Sequence, residues 1–314
     1  MSRIVDRLID QVRRETENED VSSTSGIQDI EFLQYLNDAQ DRLQSLITAT
    51  HPTVFVKEKI VDVIVDTEIY DIPEDAYKEN AVTTVEYSPS SNIEDYYHIE
   101  QTTMKRRDTA VQGFPVTYIR RSGQVLLQPR PQQAGSLRLN YIKRIDRLDK
   151  RRGVVAVALL DDSTRTITTL EFDPSSSNPA LDANTLLEDN YLTICDRDGK
   201  PTMRNIPIDA IDAGTGVVTV SAGFTYEEGE SISVGAYPVS GKDARTHSEL
   251  PRMCERYLIA YASWKILKRD SSVDFAEQQS ELLQMENDIV NSFADIDDDV
   301  HFVPTLNHWS DWSD

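Results

Sequence analysis

Side chains able to do acid–base or metal chemistry near neutral pH are few and scattered: His51, His98, His247, His301 and His308, with Cys195 and Cys254. None stands at metal-ligand or triad spacing from another. The chain holds no His-Glu-x-x-His for zinc, no Gly-x-Ser-x-Gly nucleophile elbow and no glycine-rich loop to cradle phosphate. The cysteines lie far apart, so they read as buried or idle thiols rather than a disulfide or a metal pair. Asp295-Ile296-Asp297-Asp298-Asp299 offers carboxylates, but it lacks the glycine and the bidentate glutamate that a calcium loop needs. Asp196-Arg197-Asp198-Gly199 reads as a hairpin turn, and no carboxylate pair is singled out for glycoside hydrolysis. No catalytic, cofactor or metal residues are assigned. The chemistry of this chain lies in its surfaces.

Two stretches carry that surface chemistry. The net charge is −22, which disfavours nonspecific binding to nucleic acid, yet residues 100–152 hold 13 Lys/Arg against 4 Asp/Glu. Lys105, Arg106, Arg107, Arg151 and Arg152 are its candidates for inter-subunit or channel electrostatics. They could meet phosphates, or answer acidic parts of the same or a neighbouring copy. The overall acidity favours the second. The other stretch is residues 295–314, rich in Asp but ending with Phe302, Val303, Leu306, Trp309 and Trp312. Such a segment suits ordering on a partner, with the tryptophans as anchors. Fully extended, it spans roughly 65 Å. The alternative is that the tryptophans fold back onto the chain's own helices.

The elements that must position these stretches show two periods. Hydrophobic residues make up 39% of 314, enough for a core. No window reaches the length of a membrane span, and the start, Met1-Ser2-Arg3-Ile4-Val5-Asp6, has no signal-peptide core, so a cytoplasmic site of synthesis is expected. Helical spacing is seen in Ile4, Leu8, Ile9 and Val12, and again in Phe32, Leu36, Ala39, Leu43 and Ile47. Near the other end, Met253, Tyr257, Ala260, Trp264 and Leu267 mark a helix apolar on nearly all sides, hence central, with Trp264 expected in the core. A further helix carries Phe275, Leu282, Met285, Ile289 and Phe293 on one face. The middle alternates with period two and is rich in β-branched residues. The expected class is α+β. Residues 1–50 and 246–294 form a helical bundle, 51–150 an antiparallel β-region, 151–240 an inserted small β-barrel or sandwich, and 295–314 an extended tail. The inserted segment is expected to be peripheral.

Phe32-Leu33-Gln34-Tyr35-Leu36-Asn37-Asp38-Ala39-Gln40, following Leu8-Ile9-Asp10-Gln11-Val12-Arg13-Arg14-Glu15, resembles the head-to-tail adaptors of tailed phages, particularly short-tailed ones. Ile69-Tyr70-Asp71-Ile72-Pro73, Gly113-Phe114-Pro115-Val116-Thr117-Tyr118, Val125-Leu126-Leu127-Gln128-Pro129 and Gly135-Ser136-Leu137-Arg138-Leu139-Asn140-Tyr141 agree with that family in order. Residues 151–240 depart from it, as an insertion would. The resemblance implies a non-enzymatic virion protein without cofactor, assembled in the host cytoplasm. It would form a homo-oligomeric ring, a dodecamer, between the portal protein and a tail nozzle or tail tube protein. Genomic DNA would pass through its channel without specific binding, and no membrane is involved. Portal binding would fall to Phe302, Val303, Leu306, Trp309 and Trp312. Rival readings are a receptor-binding tail protein and a cell-wall-hydrolysing virion protein.

Overall fold

The computed structural model describes residues 4–16, 28–78, 81–90, 95–103, 112–161, 166–172, 190–212, 215–226, 229–270 and 276–297. The architecture is mixed α+β, as expected from the two periods in the sequence, with four α-helices among the described residues. Two compact units divide the chain: residues 45–144 with 290–314, and residues 1–44 with 145–289.

The first of these units is built on a seven-stranded sheet. Its chain order is β1 (Val56–Val63), β2 (Ile69–Asp71), β3 (Val82–Ser88), β4 (Tyr97–Gln101), β5 (Gln112–Gly113), β6 (Thr117–Arg121), β7 (Gln124–Gln128), β8 (Arg130–Pro131) and β9 (Gly135–Ile142). The spatial order is β1-β9-β3-β4-β6-β7-β2, with β5 and β8 paired separately. Neighbours are antiparallel except β4 and β6. Alternation fixes the faces: Leu137, Leu139 and Tyr141 on β9 are buried opposite Tyr87, Val85 and Val82 on β3. The sheet curls into a half-barrel, because its two edge strands are consecutive in the chain. Tyr70 on β2 ties down the loop between them, its hydroxyl donating to the carbonyls of Ile64 and Thr67 and accepting from the Ile64 amide.

The second unit contains α1 (Val5–Glu15) and most of α2 (Asp29–Thr50). It continues with a strap from 145 to 152 that includes β10 (Arg147–Leu148). Then come β11 (Val155–Asp161), β12 (Thr166–Phe172), β13 (Tyr191–Cys195), β14 (Pro201–Asp212), β15 (Val217–Val220), β16 (Tyr237–Ser240) and β17 (Ala244–Arg245). Six of these strands form an antiparallel sheet in the order β11-β12-β15-β14-β13-β16, while β10 pairs in parallel with β17. Leu170, Leu192, Ile194, Met203, Ile206 and Val218 are fully buried at its centre. The β13–β14 turn is the hairpin the Asp196–Gly199 run calls for. Asp196 Oδ1 accepts from the amides of Asp198 and Lys200, both at 2.9 Å.

A 3-10 turn at Arg252–Cys254 leads into α3 (Glu255–Asp270), and α4 (Ala276–Asp297) follows. The expected stripes of α1 and α2 are buried apart from Ile4, which is partly covered: Leu8, Val12, Phe32, Leu36, Leu43 and Ile47 are all at 0% exposure. For α3 the spacing pointed to a different face. Its buried side is Cys254, Tyr257, Leu258, Tyr261, Ala262 and Ile266, while Met253 is 47% exposed and Trp264 only partly covered. A helix apolar nearly all round has no distinct moment, so periodicity cannot say which of its stripes is sealed. Polar contacts join helices from the two ends of the chain. Arg42 on α2 grips Glu286 on α4, Tyr257 on α3 donates to the same carboxylate at 2.6 Å, and Ser263 on α3 donates to Glu15 on α1 at 2.9 Å.

Candidate partner-binding surfaces

Of the basic candidates, Lys105, Arg106 and Arg107 lie outside the described residues, as do the tail positions Phe302, Val303, Leu306, Trp309 and Trp312. Arg151 and Arg152 sit on the strap. Arg152 is buried, and its guanidinium donates to both carboxylate oxygens of Asp149 at 3.1 and 2.6 Å. Asp149 also accepts the Ser240 amide at 2.7 Å, so this pair pins the strap to β16. Arg151 is half exposed. It reaches Asp6 on α1 at 3.2 Å and lies over the Tyr237 ring. Lys150 and, from α1, Arg13 both bond to Asp29 at the start of α2. Burial pushes the Asp29 carboxyl up, but the hydrogen bonds from Lys150 and Arg13 outweigh it and hold the group below its ordinary range. Lys150, Arg151 and Arg152 thus have their counter-charges within the chain.

Beside this lies a buried charge network. Asp146 is at 0% exposure and accepts from Arg204 on β14 at 2.9 Å, with Arg245 at 3.8 Å. Its amide donates to Glu249 at 3.0 Å and its carbonyl accepts from Gln40 of α2 at 2.8 Å. Arg245 in turn bonds Glu249 at 2.7 Å, and Ser248 donates to Gln40. The amide, the carbonyl and the carboxylate of Asp146 therefore each have a partner, as a buried ion requires. Sequence reasoning did not find this network. The available signal was Asp146 and Asp149 set among six cations in residues 143–152.

A third feature is open. α1, α3 and α4 enclose a groove of about 500 Å³ lined by Glu15, Ile259, Trp264, Leu267, Leu282 and Met285 among others. An adjoining open cleft of about 870 Å³ is lined by Arg7, Asp10, Gln11, Arg14, Glu15 and Arg252. The unsealed stripe of α3 forms the floor of the first. The indole Nε1 of Trp264 is buried with no hydrogen-bond partner among the described residues. Lys265 and Lys268 lie against its ring. Among the described residues, no group of three or more His, Cys, Asp or Glu side chains is placed to hold a metal ion. No described helix is long and apolar enough to cross a membrane.

The matched region runs from the first helix to the strap. Residues 5–153 match the SU10 adaptor protein family. That stretch is just under half of the chain and takes in α1, α2, the seven-stranded sheet and the residues through Arg152. It holds the motifs at 8–15, 32–40, 69–73 and 113–141 that resemble phage head-to-tail adaptors, and it stops where the sequence departs from that pattern, at 151–240. The matched part is similar to a phage adaptor domain. No curated protein matches the chain.

Proposed function

We propose that the chain is the subunit of a head-to-tail adaptor ring, a dodecamer that joins the portal protein to the tail nozzle or tail tube protein. It acts as a non-enzymatic virion component at the head–tail junction, assembled in the host cytoplasm. It prolongs the channel through which genomic DNA leaves without being bound specifically. In this reading the terminal helices close as a bundle, and residues 151–240 form an inserted β-rich domain. The tail residues Phe302, Val303, Leu306, Trp309 and Trp312 bind the portal. Lys105, Arg106, Arg107 and the half-exposed Arg151 serve inter-subunit or channel electrostatics.

The observation that carries this reading is the SU10 adaptor match over one continuous stretch, 5–153, that holds a complete sheet and both N-terminal helices. Negative-stain microscopy of the purified protein mixed with its portal tests it. Rings with central holes stacked on one face of the portal are expected. Particles that never associate, together with clearing of cell-wall substrate by the isolated chain, would replace the adaptor with a hydrolase. Binding to host surface in place of the portal would make it a receptor-binding protein.

A further inference from the structure

Half-buried His247 sits where three segments of the second unit meet. Ile4, at the start of α1, makes an antiparallel bridge to it, and the Val5 amide donates to the Thr246 carbonyl at 2.8 Å. The β13–β14 turn presses on the ring from another side. A Cβ added at Gly199 would overlap His247 Nδ1 and Cε1, so the turn approaches this closely only as glycine. Nδ1 lies 2.9 Å from Thr246 Oγ1, and that oxygen lies 2.9 Å from the Tyr237 hydroxyl. Thr246 is at 0% exposure and Tyr237 at 3%. Neither hydroxyl has another hydrogen-bond partner among the described residues.

With these three groups in line, one arrangement satisfies both buried hydroxyl protons. Tyr237 donates to Thr246, Thr246 donates to Nδ1, and the imidazole is neutral with its proton on Nε2. Protonating Nδ1 turns that acceptor into a donor. Thr246 must then direct its own proton at Tyr237, and the Tyr237 proton is left buried without an acceptor, at a cost. The surroundings add to this bias. Burial, then Arg245 on β17 and Arg151 on the strap, hold the imidazole below its ordinary pKa, while Asp196 and Asp198 of the turn oppose them. Arg245 and Arg151 are themselves paired, with Glu249 and Asp6. Tyr237 and the neighbouring Cys195 stay neutral, each pushed up to about 12 by burial.

We propose that His247 is a pH-sensitive latch for the N-terminal helix: neutral, it locks the start of α1 and the β13–β14 turn onto residues 244–248, and protonated in mild acid it frees both. Release uncovers Val5, now at 0% exposure, so the acid form presents apolar surface that the neutral form hides. The imidazole takes up a proton more readily once the latch is open. The closed form is therefore fully favoured above the ordinary value of about 6.5 and loses ground as the pH falls from there towards the lower folded value. Within that window, opening rises about tenfold for each pH unit.

Hydrogen exchange of the full-length protein tests this, read by mass spectrometry between about pH 7.5 and about pH 5 and corrected for the intrinsic rate at each pH. Peptides holding residues 5–8 and 198–200 should lose protection about tenfold, while peptides from β15, whose buried Val218 and Val220 carry no titratable group, should hold theirs. In His247→Gln, which accepts from Thr246 but does not titrate, the first two peptides should be indifferent to pH. Thr246→Val removes the relay and should move the His247 midpoint, followed by NMR, up towards the ordinary imidazole value. Unchanged protection in the wild type, an equal loss in His247→Gln, a loss shared by β15, or a midpoint unmoved by Thr246→Val would each overturn the proposal. Where a variant fails to fold, the wild-type titration decides. The His247 signal, assigned by its nuclear Overhauser contact with Gly199, should titrate below about 6.5, and a midpoint at or above that value refutes the latch.

Discussion

Removing Arg204 from the Asp146 network should destabilise the protein more than removing Asp146 itself. The two ends of this ion pair differ in environment: the Asp146 side chain is at 0% exposure and that of Arg204 at 35%. In Arg204→Met the packing is kept, but the buried carboxylate loses its partner at 2.9 Å, and Arg245 lies farther off, at 3.8 Å. Leaving a buried charge without its partner costs about 3–5 kcal/mol, and the second arginine places this case near the lower end. In Asp146→Asn, Arg204 keeps Asp243 at 3.7 Å and rehydrates through its exposed third, so about 1–2 kcal/mol is expected. The double variant strands neither charge. It should cost about 2 kcal/mol less than the sum of the singles. Urea unfolding followed by near-ultraviolet circular dichroism measures all three, and Arg204→Met should lower the melting temperature by roughly 6–10 °C. Strict additivity, or an Arg204→Met change below about 0.5 kcal/mol, would refute the reasoning. The network also bears on residues 151–240. Replacing that segment with a flexible linker removes Arg204, so the excised chain carries the same stranded carboxylate.

Gly199 has φ at +86°, and an added Cβ would lie 2.0 Å from His247 Nδ1 and 2.7 Å from Thr246 Oγ1, so Gly199→Ala should cost about 3 kcal/mol in urea unfolding. Because the folded-state pKa of Asp29 is depressed, its carboxylate adds stability above the unfolded value of about 4. That contribution is lost as the pH falls through the lower folded value, so acid unfolding should be shallower for Asp29→Asn than for wild type. Burial pushes both the Cys195 and Cys254 thiols up to about 12, so neither should react with a thiol reagent at pH 8 until denaturant is added. Rapid labelling of the native protein would place one of them at the surface.

What the sequence revealed and what it hid follow from the range of the interactions involved. The stripes of α1 and α2 were legible because each has a single apolar face, and the alternation of β9 was legible because one side of its sheet is sealed. Both signals are local and repeat within a few residues. The β13–β14 turn was legible for the same reason, since Asp196 caps amides only two and four residues away. The face of α3 was not legible, because cover for its several apolar stripes comes from elements more than 200 residues distant in the chain. The partners of the strap were equally hidden. Asp6, Asp29 and Arg204 lie 145, 121 and 58 residues from the charges they meet, and no spacing rule reaches that far.

The partly exposed side of α3 and the arginines left without an ion-pair partner among the described residues share a physical origin. A side chain that could have been neutralised or covered within its own chain, and was not, keeps its full interaction free energy for an association. Arg152 illustrates the opposite case. Held by Asp149 and buried, it would have to lose that bond before meeting anything else, so its net gain from a partner is small. Arg7, Arg14 and Arg252, exposed and without an ion-pair partner among the described residues, carry no such cost. Charge density along the sequence is therefore a poor guide to where this protein binds. The densest cationic run, at 143–152, is largely spent on holding the fold together, whereas Arg7, Arg14 and Arg252, from opposite ends of the chain, stay exposed beside Asp10 and Glu15.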